Sequence, residues 1–90
     1  MMHPTVHSNG TSKQALYDQM RAACDALRAA QQAMMEAAPN GRDYYPQGDE
    51  TFTAAVVQHG ARGARIVSVL REYEEMLEHL IDTYGGEGIQ

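Results

Sequence analysis

The chain has no tryptophan, one phenylalanine, one cysteine and three prolines in 90 residues. A lone Cys24 excludes an intramolecular disulfide and any multi-thiolate zinc site, and it suits a reducing compartment. With aromatics scarce, the 43% apolar content rests largely on Ala and Met, so any core must be thin and built by helix packing. No apolar run approaches the ~18 residues of a membrane span, and the first residues lack the basic and apolar regions of a signal peptide. The expectation is a soluble cytoplasmic protein with no membrane partner. Bases are also few: 7 Lys+Arg stand against 12 Asp+Glu, a formal charge of −5. That balance argues against a nucleic-acid partner of the usual basic kind.

Ninety residues make one domain at most. Below roughly 70 to 80 packed residues a single core rarely suffices, so self-association is expected from the outset. Residues 1–10, MMHPTVHSNG, have no apolar periodicity and read as a flexible leader. His3 and His7 have a spacing that could hold a metal on a helix, but Pro4 favours a mobile tail.

The helical domain spans residues 11–85. Thr11 and Gln14 have the form of a capping box. After them Leu16, Met20, Ala23, Leu27, Ala30, Met34 and Ala37 alternate spacings of four and three, the pattern of a coiled-coil seam. Pro39 disfavours helix at Ala38, so the first helix is expected over about 11–38. Residues 39–50, PNGRDYYPQGDE, form a connector with two prolines and two glycines. Asp49, Glu50 or Thr51 can cap the second helix. A second seam then runs through Phe52, Val56, His59, Gly63, Ile66, Leu70, Tyr73, Leu77, Leu80 and Tyr84, predicting a helix over about 50–84. Gly85-Gly86 ends it, and residues 86–90 should fray.

The expected fold is all-α: an antiparallel two-helix hairpin that dimerises into a four-helix bundle. If residue 38 lies near residue 51, facing residue numbers sum to about 89, with Leu27 near Gly63, Ala30 near His59 and Met20 near Leu70. The second helix then overhangs by about two turns at its C-terminal end, Leu77 to Tyr84.

Beside that seam the second helix carries Val67, Val69, Met76 and Ile81 on both flanks, more than one facing helix can cover. With Leu77, Leu80 and Tyr84 these form the expected interaction surface; scattered surface apolars are the plainer alternative. The first helix bears Asp18, Arg21, Asp25 and Arg28 away from its seam, a solvated face of local ion pairs.

Glu72, Glu75, Glu78 and Asp82 form an acidic face, with Glu74 and Glu87 adding to its charge. Glu75, Glu78, His79 and Asp82 share donors suited to a divalent ion. The ferritin-like Glu-x-x-His pattern is broken, however, by Met76 three residues before His79, so no metal is expected. A solvated face is the simplest reading; a surface aimed at a basic partner is the other. His59 falls on the seam without an evident nucleophile or carboxylate, and reads as a core histidine rather than a general base. Gly60 and Gly63 each cost about 1 kcal/mol in a helix, a loss that close packing can offset. Arg62, Arg65 and Arg71 make a small basic band that favours antiparallel alignment of two copies.

The connector segment Asn40-Gly41-Arg42-Asp43-Tyr44-Tyr45-Pro46-Gln47-Gly48 resembles one found between two helices in small proteins of bacteriophages and prophages. The resemblance covers nine residues plus general helical character; it implies a phage setting and carries no activity with it. Physically, Tyr44 and Tyr45 can fold back over the end of the hairpin while Arg42 and Asp43 brace the turn. The sequence therefore predicts a non-enzymatic, cofactor-free protein-protein interaction module, one that in a phage could block a host or defence factor. The alternative is a structural or assembly component; the expected partners are a second copy and another protein.

Overall fold

A computed structural model describes residues 1–85; the tail expected to fray lies outside the described residues. Among them the chain is helical throughout its ordered elements, with no strand: α1 (Lys13–Glu36), a one-turn α2 (Gly41–Tyr44), a 3-10 turn (Tyr45–Gln47) and α3 (Asp49–Tyr84). Among the described residues no helix is long and apolar enough to cross a membrane.

The cap of α1 is Ser12, one residue later than the expected Thr11; its Oγ accepts from the Ala15 N–H at 3.1 Å. Ahead of Pro39, the helix closes with the Ala37 N–H shared between the carbonyls of Ala33 and Met34. The N-cap of α3 is Gly48, at φ 98°, the sole positive-φ residue among those described and the point where the chain reverses. No side chain caps this end. Instead Asp49 and Glu50 sit in the first turn, where their charge complements the helix dipole, and the Thr51 hydroxyl donates to the Gln47 carbonyl at 3.3 Å.

The two long helices lie against each other, the start of α1 meeting the end of α3. Lys13 reaches Tyr84 and Arg28 reaches Glu74, so facing residue numbers sum to 97 and 102 rather than 89. That correction shifts the register by about ten residues, or ~15 Å along a helix. Its cause is the connector. Rather than turning at once, the chain continues beside the first turns of α3 as α2 and the 3-10 turn, both packed on α3, and reverses only at Gly48. The Tyr44 ring meets Phe52 at 6.2 Å between centroids.

The overhang therefore lies at the opposite end from the one expected. One face of the turns Leu77 to Tyr84, with Leu80 at its centre, is covered by the start of α1 and by residues 3–6: the His3 ring stacks on His79, and the Val6 N–H donates to the Tyr84 hydroxyl at 3.2 Å. The first turns of α3 extend beyond α1, with only the connector beside them.

The interior consists of Leu16, Cys24, Leu70 and Leu80, with Cys24 and Leu80 fully enclosed. Along α1 the half-buried positions Met20, Ala23, Leu27, Gln31 and Met34 follow a straight helical stripe, whereas the strict seam position Ala30 is exposed. A strict heptad tracks a partner only where the helices supercoil; a straight helix drifts ~20° per heptad, which moves Gln31 inward. In α3 Ala55 is half-buried while the strict seam position Val56 is exposed. The molecule measures 61 × 22 × 19 Å, about the length expected for the 36 residues of α3 plus the connector end.

Candidate interaction surface

The residues expected to meet a partner divide into two groups. Leu80, counted among them from sequence, is wholly enclosed within the chain, because α1 and the N-terminal residues cover that end of α3. Val67, Met76, Leu77 and Tyr84 are half-buried, whereas Val69 and Ile81 are exposed. Two further exposed valines lie where α3 outruns α1: Val56, 45% exposed, and Val57, 67% exposed. Sequence reasoning placed Val56 in the seam and missed Val57. Its signal was legible only once the register was known, since the adjacent pair Val56-Val57 cannot both face one neighbour.

At the covered end, Lys13 Nζ donates to the Tyr84 carbonyl at 3.2 Å. The last turn of α3 has no base of its own, so Lys13 supplies from α1 the positive charge that a helix C-terminus favours. Midway along the pair, Arg28 bridges the helices: Nη2 to Glu74 Oε2 at 3.0 Å and Nη1 to Asp25 Oδ1 at 3.3 Å. These groups are about half exposed, so the pair contributes no more than ~1 kcal/mol and acts chiefly on alignment. Arg21 joins the same outer network through Tyr17 and Asp25.

The acidic face is open. Glu72, Glu75, Glu78 and Asp82 are all exposed, while Glu74 is drawn aside by Arg28. His79, expected beside these carboxylates, is instead half-buried under the His3 ring, with centroids 4.2 Å apart and planes within 10°; it meets Tyr84 edge-on at 6.5 Å. Stacking occupies the imidazole face, and among the described residues no group of three or more His, Cys, Asp or Glu could hold a metal ion. Glu87 lies outside the described residues. His59 is half-buried, and the register carries it past the end of α1, level with the connector and away from the expected Ala30.

In the connector, Asn40 does the bracing expected of an Arg42–Asp43 pair. Its Oδ1 accepts from the Arg42 N–H at 2.9 Å and from Arg42 Nε at 3.5 Å, while Asp43 is exposed without an ion pair. Of the two tyrosines, Tyr44 folds back onto Phe52; Tyr45 does not, and stands 85% exposed. Cys24 is enclosed between the helices, and burial pushes its thiol above the ordinary cysteine range. Such a group is a poor nucleophile.

Neither a protein-family model, nor a curated protein, nor a solved structure matches this chain.

Proposed function

We propose that the protein is a non-enzymatic interaction module: a helical hairpin that works by presenting α3 to other chains, beginning with a second copy of itself. The observation that carries this reading is the surface left over. The accessible area is 6488 Å², whereas a compact monomer of 9.9 kDa exposes roughly 5,200 Å². The excess of about 1,300 Å² is that of a thin, elongated molecule with four buried side chains among the described residues, and it leaves α3 room for the ~800 Å² that each partner contributes to an ordinary specific interface. Of the large apolar side chains exposed among the described residues, Val56, Val57, Val69 and Ile81 are on α3, while Met1, Met2, Met35 and Tyr45 lie outside it. Two such hairpins joined through α3 make a four-helix assembly.

The connector's phage-like segment, Asn40 to Gly48, supports a setting in which the module binds and blocks a host or defence factor. A structural or assembly role is the second reading, and one observation favours it. Val57, Val69 and Ile81 are spaced so that each points about 120° round α3 from the last. One flat partner cannot cover three directions, but a multi-sided assembly can.

The test is light scattering on the wild type and on Val56→Glu and Val57→Glu, with helicity followed by circular dichroism. Both positions are exposed, so each variant should keep its helix content. The reading expects at least one variant to shift the mass toward the monomer. Wild type and both variants all monomeric would refute it.

A further inference from the structure

The overhanging half of α3 carries a second stripe, separate from the face against α1: Asp49, Thr53, Val56, Gly60, Ala64, Val67 and Arg71 recur at three- and four-residue spacings. All except the half-buried Val67 are exposed. The stripe is centred on Gly60. Asp49 lies eleven residues before it and Arg71 eleven after, and eleven residues are just over three helical turns, so the three share nearly one line along the helix.

Opposite charges stand at equal distances, about 16 Å, on either side of a residue with no side chain. A Cβ built at Gly60 or at neighbouring Gly63 would meet nothing within 4 Å, so neither glycine serves a close approach inside the chain. Among the described residues, Asp49 and Arg71 make no ion pair.

From this arrangement we infer that two copies of the chain pair antiparallel through the first two-thirds of α3, crossing at Gly60 on a two-fold axis, with Asp49 of each copy meeting Arg71 of the other. The inference rests on the self-association proposed above and deepens it by fixing the surface and the direction. A two-fold makes the contact isologous: whatever Asp49 gains from Arg71, the partner's Asp49 gains equally. Val56 then lies over Ala64, Thr53 over Val67, and the two glycines let the backbones approach at the centre. A shallow crossing near 20° keeps Asp49 and Arg71 within side-chain reach at the ends, which a steep crossing would separate. Because Gly60 lies nearer the start of α3 than its end, the copies overlap in a staggered way. The portions paired with α1 project at opposite ends, and the particle is roughly 80 Å long.

Charge reversal tests both the surface and the direction. Asp49→Arg sets Arg against Arg71, and Arg71→Asp sets Asp against Asp49, each twice per dimer. Each single variant should weaken dimerisation about tenfold. The double variant Asp49→Arg/Arg71→Asp should recover wild-type affinity, and an equimolar mixture of the two single variants should form a heterodimer tighter than either homodimer. Rescue and heterodimer preference together support the inference. A wild-type dimer whose affinity the single variants leave unchanged, or fail to recover in the double variant, overturns the antiparallel pairing and leaves self-association standing. A wild type that stays monomeric overturns both.

Discussion

Replacing Gly60 by Ala separates what this residue does within one chain from what it does between two. In the interior of a helix, glycine is about 1 kcal/mol less favourable than alanine, because the unfolded chain gains more freedom from it. Nothing in the chain stands within 4 Å of the added methyl group, so no clash offsets the gain. In dilute solution, where single chains predominate, Gly60→Ala should therefore stabilise by about 1 kcal/mol and raise Tm by roughly 4–8 °C for a domain of this size. At concentrations where chains pair, the two added methyl groups meet at the crossing and dimer affinity should fall. Thermal unfolding by circular dichroism, repeated over a hundredfold range of concentration, reads both effects: the variant melts above wild type when dilute, and the difference shrinks as concentration rises. A lower Tm in dilute solution would refute the reasoning, since it would mean that the position is already filled from within the chain.

Two further outcomes follow from the interior. Leu80 is fully enclosed, so Leu80→Ala should cost about 2–5 kcal/mol, measured by urea unfolding; a loss below 1 kcal/mol would mean that the end of α3 is not covered by α1 and residues 3–6. Cys24, with its thiol held above the ordinary range by burial, should react with iodoacetamide far more slowly in the folded chain than in urea. The pH dependence has a definite sign: a folded-state pKa raised above the unfolded value leaves its stability contribution intact below about pH 8.5 and removes it as pH rises further. Cys24→Ser should abolish that alkaline decline, and a decline unchanged in the variant would assign it elsewhere.

The helices were legible in the sequence because periodicity and breakers agree there: Leu16 to Met34 and Phe52 to Tyr84 repeat at helical spacing, and Pro39 and Gly48 interrupt them. The register was not. It depends on the path of residues 37–48, and the preference of Tyr44 for the Phe52 ring, which lengthens that path along α3, is a tertiary contact with no local signature. Once the register moved, so did everything derived from it. Leu80 went from surface to interior, His59 passed beyond the end of α1, and the uncovered turns became those around Val56 and Val57. The acidic carboxylates kept their exposed face because charge alone places them there. His79 left their company because a segment without periodicity, residues 1–10, supplied a ring to stack on it.

Sedimentation equilibrium of the wild-type chain, from micromolar to millimolar concentration, tests most directly whether α3 is built to be covered by another copy. The weight-average mass should climb from 9.9 kDa toward at least twice that value. A mass fixed at 9.9 kDa across the whole range would contradict that expectation.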